Sequence, residues 1–428
     1  MIGTVAKRPF EQLIAVMALA MLPWLSSTGR AQQPPGYLMW VIQNQGGSGI
    51  FYAPPQGGAM VHVATPPAFD GPISQLLPFM GNRQMLVNAT TQALYLWSIE
   101  TGSFNPLPVT FPPGWNGIAS FRIGQEGELV VVPEIWSGGV DGIYRLLQTG
   151  AWTRLAATPI NTGGRLGVDI DTGNYVVSGS GGVWRVDWLG NVTRMSMSNV
   201  QLLDQDVEDG AFLYWNGYNL NRMDRLGVES WTGLTWIPTY PSDVPHLAIV
   251  DESNPASPGE YVLVSRRARS LGLELARANR IGGAVTSLLL AGGGCTSIVM
   301  DRSRNLSTVR AGLQNQWDIL VDFPLDNGYP YVCLIGLSGV RPGLQIDQRR
   351  IRLNMDALTQ AALAGGVPGL SNTMGVLDSR GLARARIDVS SLGPGARGIP
   401  FWLVGIVLDP AAPNGIRRIS PPVVVQIR

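Results

Sequence analysis

Lysine, histidine and cysteine are nearly absent from this sequence. Lys7 is the only lysine among 31 basic residues, and the 428 residues include two histidines and two cysteines. No CxxC pair or Cys/His ligand spacing occurs, so we expect no zinc site built from these residues. Charged residues make up 14% of the chain and the net charge is +1. This excludes a strongly polycationic protein, and we expect no nucleic-acid partner.

The common catalytic and cofactor motifs are missing as well. The sequence contains no GxSxG, HExxH or GxxxxGK, so we expect no cofactor and no familiar hydrolase, metalloprotease or nucleotide site. His62 and His246 could act as a base and its partner. Because no nucleophile motif accompanies them, structural roles are favoured for both histidines.

Acidic residues cluster at two turns. Asp169 and Asp171 lie in DIDTGN, and four acids lie in DQDVEDG, which ends at Gly210. A calcium loop needs alternating oxygen ligands and a glycine at its sharp turn, but Gly210 comes one residue late for an EF-hand-like loop. Ordinary turn-forming acids are therefore favoured over a metal site.

The first thirty-one residues resemble an export signal. Lys7 and Arg8 precede an apolar stretch of 12 residues at 13–24, which is too short for a stable membrane anchor. Gly29 and Ala31 provide small residues at the −3 and −1 positions of a cut after Ala31. We predict a signal peptide over residues 1–31 and an exported protein, periplasmic or extracellular. No later run reaches 18 apolar residues, so we expect no membrane span in the mature chain.

The two cysteines would then fold in an oxidising compartment, where Cys295 and Cys333 could form a disulfide. That bond requires their Cα atoms to lie within about 7 Å. The sequence leaves the pairing open.

Glycine and proline are abundant, at 53 and 31 residues, and they separate short apolar stretches. One sequence pattern recurs through the middle of the chain and predicts a hairpin: a strand, a turn with glycine and a second strand. Its glycines are Gly57, Gly102, Gly150, Gly190, Gly227 and Gly282. A second pattern alternates with the first. It consists of a turn followed by a very apolar strand such as LVVV or YVVS. Two hairpins in about 45 residues make four strands, which is one blade of a β-propeller.

We therefore predict an all-β protein with a propeller over residues 37–323. Six hairpin patterns and seven apolar-strand patterns are present, and the seventh unit, from about 296 to 322, is short and irregular. Six or seven blades are therefore open, and seven is favoured. Strands from both ends of the segment could share one blade. Through this repeat pattern alone, the region resembles the NHL-like and WD40-like propellers.

The propeller pattern ends near Pro324, and alternating apolar strands follow. They predict a β-sandwich over residues 326–428, with a short helix from Asp356 to Leu363. The motifs are a PG turn at Pro342, an NxDAL segment from Asn354, a GxLDxxGxAxA hairpin and a terminal VLDPxAPxGIRxIS. With these motifs the last hundred residues resemble the accessory β-domain of predicted exported proteins of planctomycete-type bacteria. The resemblance implies an exported accessory domain and no catalytic residues.

The charges are divided unevenly between the two predicted domains. Residues 32–325 hold 17 arginines against 23 acids, whereas residues 326–428 hold 11 arginines against 6 aspartates. A basic tail domain could dock on an acidic surface polymer, or it could pack on the propeller by charge complementarity. The packing interpretation is favoured.

Tryptophans in turn-rich segments are the strongest sign of a ligand site. Exposed aromatic rings form flat apolar platforms for ligands such as sugars, and four tryptophans are candidates: Trp115, Trp136, Trp231 and Trp236. Buried rings that cap the blades are the competing interpretation.

Two functions remain open. One is a non-catalytic exported binding or surface protein that recognises a polysaccharide or cell-surface polymer. The other is an exported lyase or lactonase-like hydrolase with an acidic metal site in the central channel.

Overall fold

The fold is taken from a computed structural model, which describes residues 37–427 with interruptions. The interruptions are residues 44–46, 54–58, 60, 66–72, 80–83, 90–92, 100, 126, 136–141, 148–149, 158–160, 199, 206–209, 217–218, 236–245, 251–260, 269–271, 280–284, 292–293, 301–305, 312–314, 347–348, 366 and 393. Between residues 246 and 300 only the backbone of the strands is described. The predicted signal peptide lies outside the described residues.

Twenty-four strands, numbered in chain order, form the propeller. They are β1 (Tyr37–Gln43), β2 (Gly47–Ala53), β3 (Val61–Ala64), β4 (Ile73–Phe79), β5 (Gln84–Ala89), β6 (Ala93–Ser98), β7 (Phe104–Pro106), β8 (Gly117–Ile123), β9 (Leu129–Glu134), β10 (Ile143–Leu146), β11 (Trp152–Ala156), β12 (Asn161–Val168), β13 (Tyr175–Ser180), β14 (Gly182–Val186), β15 (Val192–Ser196), β16 (Gln201–Gln205), β17 (Phe212–Trp215), β18 (Asn219–Met223), β19 (Glu229–Thr235), β20 (His246–Val250), β21 (Tyr261–Ala268), β22 (Gly272–Asn279), β23 (Val285–Ala291) and β24 (Gly294–Met300).

These strands make six four-stranded antiparallel blades within the described residues. Blade 1 has the order β24-β1-β2-β3, and blades 2 to 6 each take four consecutive strands from β4 to β23. Blade 1 thus combines the two ends of the propeller segment, because β24 pairs with β1. The innermost strands β24, β4, β8, β12, β16 and β20 contact one another in sequence around a closed ring. The predicted propeller is confirmed, with six blades rather than the favoured seven.

Local sequence accounts for the blades. The run Leu129–Glu134 forms the second strand of blade 3, and Val130, Val131 and Val132 are buried because neighbouring blades cover both of its faces. Four of the predicted turn glycines, at 102, 150, 190 and 227, have φ between 68° and 89°. Glycine adopts this left-handed conformation readily, whereas other residues resist it. Each of the four lies in the turn that joins the third strand of a blade to the fourth.

Neighbouring blades are also joined through polar side chains. Gln75 of β4 accepts a hydrogen bond from the Phe121 amide and donates one to its carbonyl oxygen. Ser120 Oγ accepts from the Leu166 amide at 3.1 Å, and Ser178 Oγ accepts from the Leu202 amide at 2.8 Å. These bonds satisfy backbone groups that the innermost strands would otherwise leave without partners.

The C-terminal domain is a β-sandwich, as predicted. Its elements are β25 (Leu306–Arg310), β26 (Gln316–Asp322), β27 (Pro330–Gly336), β28 (Leu344–Ile346), β29 (Arg349–Ile351), α1 (Ala357–Leu363), β30 (Leu370–Ser371), β31 (Met374–Val376), β32 (Leu382–Asp388), β33 (Pro400–Leu408), β34 (Ile416–Ile419) and β35 (Val423–Gln426). One sheet has the order β25-β26-β32-β30 and the other β31-β27-β33-β34, with β35 also paired to β33. Apolar side chains from both sheets, including Trp317, Ile319, Phe401 and Leu403, form the core between them.

The domain boundary differs from the predicted one at 323–326. The strands β25 and β26, expected as a seventh propeller unit, form a sheet with β32 instead. The sandwich therefore begins at Leu306. An apolar strand such as β25 carries no local mark of the sheet that it will join, because pairing depends on partners distant in sequence.

Several residues of the C-terminal motifs build turns and clamps. Asn354 donates to the carbonyl oxygens of Ser338 and Arg341 and accepts from the Gly343 amide, and Asp356 caps α1 by accepting from the Thr359 amide. The buried carboxylate of Asp326 is held by Arg417 and Arg418, each at 2.6 Å. These roles are structural.

Cys333, whose pairing with Cys295 the sequence leaves open, is a free thiol buried in the sandwich core. Its partner would have been Cys295 on β24, which is described by its backbone alone. Within the described part of the chain, no helix is both long and apolar enough to cross a membrane.

Candidate functional site

The acidic turn DIDTGN joins β12 to β13 and organises the contact between the two domains. Asp169 closes the turn: its carboxylate accepts hydrogen bonds from the Asp171 amide at 3.1 Å and from Thr172 Oγ1 at 2.8 Å. Gly173 adopts φ 73°, and its amide donates to the Asp169 carbonyl oxygen. The sequence thus forms a tight Asx-type turn that projects from the end of the innermost strand of blade 4.

Arginines surround the two carboxylates of this turn. Asp169 is fully buried, with Arg225 Nη2 at 3.4 Å and Arg185 Nη2 at 3.7 Å from its Oδ2. Asp171 pairs with Arg225 at 3.6 Å and with Arg341, which belongs to the sandwich. A buried carboxylate needs such partners, since an isolated charge is expensive to remove from water.

Further contacts fix the same turn against the sandwich. Trp402 Nε1 donates to the Ile170 carbonyl oxygen at 2.9 Å, and Gln426 donates to that of Thr172 at 2.8 Å. Ile170 packs against the apolar cluster on the outer side of the β27-β33 sheet. Thr308 Oγ1 donates to the Gln125 carbonyl oxygen at 2.7 Å, which joins the sandwich to blade 3. The turn is therefore a docking element.

These contacts all lie on one face of the propeller. The docking turn and Gln125 lie in turns that link the first strand of a blade to the second, and such turns share one face. Gly210 leads into the second strand of blade 5, and a Cβ there would lie within 3 Å of the Arg341 guanidinium. We call this the covered face, since the sandwich contacts blades 3, 4 and 5 on it. The β24 strand also ends on this face, close to where the sandwich begins.

As far as the structure describes them, the acids and histidines weighed as catalytic or metal-binding groups lie in separate places. Asp169 and Asp171 are engaged with arginine, and residues 206–209 of DQDVEDG lie outside the described residues. His62 lies on the outermost strand of blade 1, beside Thr65 and Phe51, whereas His246 begins the innermost strand of blade 6. Among the residues that the structure describes, no group of three His, Cys, Asp or Glu could hold a metal ion.

The structure describes two of the four tryptophans of the predicted platform, and one of these two is buried. Trp115 is 5% exposed and packs with three other rings, those of Phe111, Tyr144 and Trp152. Its turn-rich sequence suggested an exposed ring, but the aromatic neighbours draw it into the contact between blades 2 and 3. Trp231 is 61% exposed on β19, the outermost strand of blade 5. Trp136 and Trp236 lie outside the described residues.

The arginines that complete the docking site were missed from the sequence. Arg185 and Arg225 occur in the phrases VWRVDWLG and NRMDRLG, close to the aspartate that starts the third turn of each blade. That recurrence is a signal, but it does not reveal that both side chains turn toward one carboxylate. Arg341 could not be paired with Asp171 because 170 residues separate them.

Comparison with known proteins yields similarity in fold. No family model and no curated protein matches the chain. Among solved structures, TolB from Acinetobacter baumannii aligns with a TM-score of 0.47 and 18% identity over 62% of this chain and 66% of that one, just under two thirds of its length. An auxiliary nutrient binding protein from Bacteroides ovatus aligns with a TM-score of 0.44 and 14% identity, over 65% of this chain and 74% of that one. Virginiamycin B lyase from Staphylococcus aureus aligns with a TM-score of 0.40 and 12% identity, over 62% of this chain and 92% of that one.

Proposed function

We propose that this is an exported, non-catalytic binding protein whose propeller is the ligand platform and whose sandwich is a fixed accessory domain. The observation that supports this best is the docking of the sandwich on the covered face through Asp169, Asp171 and Arg341. One end of the ring is engaged by the chain's own domain. The channel, its opposite mouth and the outer rim of the blades are then the surfaces left for a ligand.

The electrostatics of the docking turn favour binding over turnover. A carboxylate that serves as a metal ligand or a general base must be free to hold the metal or the proton. Asp169 and Asp171, two acids that the sequence offered for such work, are instead compensated by Arg185, Arg225 and Arg341. We therefore favour a binding protein over a lyase or a lactonase-like hydrolase.

A polysaccharide or another cell-surface polymer is the ligand class that we propose. Export would place the mature chain, residues 32–428, in contact with such polymers. Trp231 keeps an exposed ring on blade 5 that could stack on a sugar. Binding through this ring would be to the rim of the propeller rather than to the tryptophan platform first expected.

Glycan-array binding of residues 32–428, followed by mass spectrometry of each bound glycan, tests the proposal. We expect at least one glycan to bind and to be recovered unchanged. If Trp231 contributes, Trp231→Ala should weaken binding by about 1 kcal/mol, roughly fivefold. Cleavage or elimination of a bound glycan would overturn the non-catalytic assignment, and a protein that binds no glycan would remove the proposed ligand class.

A further inference from the structure

Two arginines lie on neighbouring innermost strands, where the blades border the central channel. Arg122 is on β8 of blade 3, Arg165 is on β12 of blade 4, and these two strands are in contact. Ser120 shares a face of β8 with Arg122, and its Oγ accepts from the Leu166 amide, one residue from Arg165. The alternation of side chains along β8 therefore directs Arg122 toward blade 4 as well.

The two guanidinium groups act on each other electrostatically. Burial, and to a smaller extent the positive charge of Arg122, lowers the pKa of Arg165 to about 10. At neutral pH both groups remain cationic, so two like charges are held close together in a poorly solvated place. Both side chains nevertheless keep partial exposure. Because β8 and β12 are the innermost strands of their blades, we expect this exposure to be to the channel.

Arg165 differs from other enclosed arginines of this protein. Arg185, Arg225, Arg341, Arg417 and Arg418 each lie within 4 Å of an aspartate. No carboxylate in the described part of the chain pairs with Arg165. Arg122 donates from Nη1 to the Phe121 carbonyl oxygen of its own strand at 3.0 Å, which holds its guanidinium at the inner edge of the blade.

An unpaired, desolvated cation beside a second cation is unfavourable for the fold alone. An oxyanion bound here would neutralise the charge of Arg165 and accept paired hydrogen bonds from planar guanidinium groups. We propose that Arg122 and Arg165 form an anion-binding site on the wall of the central channel, which receives a carboxylate, sulfate or phosphate group of a ligand. This deepens the proposed function, on which it rests, by assigning the ligand a negative charge.

Isothermal titration calorimetry of residues 32–428 tests the site with sodium sulfate and sodium glucuronate as probes. Sodium chloride at the same ionic strength and neutral glucose serve as blanks. We expect saturable binding of an oxyanion, at least tenfold weaker in Arg165→Gln. Binding of sulfate alone would indicate a sulfate or phosphate ester as the natural group, and binding of glucuronate alone would indicate a carboxylate.

Arg154→Gln is the matched control, because it removes the same charge from the exposed outermost strand of blade 3. It should bind the probe like the parent protein. In the absence of anion, Arg165→Gln should melt at the same temperature as the parent or higher, since it removes an unpaired buried charge. If Arg165→Gln does not fold, Arg122→Gln is titrated in its place, with the same loss expected.

Absence of saturable oxyanion binding to the parent, or unchanged binding by a folded Arg165→Gln, would overturn the site. The outcomes are separable from those of the glycan array. A positive array with a negative anion titration leaves the binding function and removes this site. A negative array with a positive titration leaves the site and removes the polysaccharide.

Discussion

At the scale of single residues, buried charges with partners differ from buried charges without them, and this difference distinguishes structural residues from candidate ligand-binding residues. Asp169 is fully buried, yet its carboxylate has arginine, glutamine, threonine and backbone partners. Such satisfaction is typical of a group that holds a structure together. Arg165 has no carboxylate partner among the described residues, and its charge is unfavourable for folding alone. Asp169 explains how the two domains are held together. Arg165 is the place where an anionic ligand would stabilise the folded protein by neutralising a charge.

Asp169→Ala should therefore be strongly destabilising. It removes the carboxylate that compensates Arg185 and Arg225 and leaves those cations without their buried partner. We expect a loss of about 3 kcal/mol or more in the free energy of unfolding, measured by urea denaturation. Asp187→Ala is the control, because that aspartate makes a similar turn at an exposed position of the same blade. It should cost about 1 kcal/mol, and an equal loss in both variants would contradict the role assigned to Asp169.

The two described tryptophans of the predicted platform should respond oppositely to truncation. Trp115→Ala opens a cavity among Phe111, Tyr144 and Trp152 and should cost about 3 to 5 kcal/mol in stability. Trp231→Ala removes an exposed ring and should change stability by no more than about 0.5 kcal/mol. Thermal unfolding of both variants measures the difference. A Trp115→Ala protein as stable as the parent would contradict the burial of this ring and make it a candidate for ligand binding again.

Cys333 should be inert in the folded protein. Burial raises the pKa of its thiol to about 12, so at pH 8 only about one molecule in ten thousand carries the reactive thiolate. Iodoacetamide should leave Cys333 unmodified in the native protein and modify it in denaturant, as peptide mass mapping would show. Modification in the native state, or a non-reduced peptide that links Cys295 to Cys333, would contradict the buried free thiol.

At the scale of elements, the turns were easier to predict than the contacts that they make with the other domain. The glycines at 102, 150, 190 and 227 occupy the turn positions expected of them, because the left-handed conformation is a local demand of the backbone. The apolar runs LVVV and YVVS likewise became buried second strands. The DIDTGN turn was recognised as a turn, but its partners Arg341 and Trp402 come from another domain. No local pattern reveals a contact of that kind.

The docking turn gives a prediction at this scale. Gly173→Ala introduces a methyl group that would overlap the Gln125 amide and touch Val424 of the sandwich, at a position with φ 73°. Gly150→Ala is the matched control, with φ 83° and no atom within 4 Å of the new Cβ. Both variants should lose about 1 kcal/mol from backbone strain, and Gly173→Ala about 1 to 3 kcal/mol more from overpacking. Equal losses in urea denaturation would contradict the close packing of Gly173 against Gln125 and Val424.

At the scale of the whole molecule, charge complementarity accompanies domain packing. The acidic propeller segment and the basic tail segment meet through Asp171 and Arg341, as the favoured interpretation of the uneven charges expects. The number of blades was harder to predict than their existence, since β25 resembles a blade strand in sequence and pairs with β32 in the fold. A ring closed by β24 and β1 leaves the strands that follow free to build the second domain on the covered face.

A crystal structure of residues 32–428 soaked with sodium selenate tests the anion site most directly, because the anomalous signal of selenium marks a bound oxyanion without ambiguity. We expect a selenate in the central channel within hydrogen-bond distance of both Arg122 and Arg165, with the sandwich still docked through Asp171 and Arg341. A channel in which Arg165 is neutralised by a carboxylate of the protein itself, with selenate bound only at the outer surface, would contradict it.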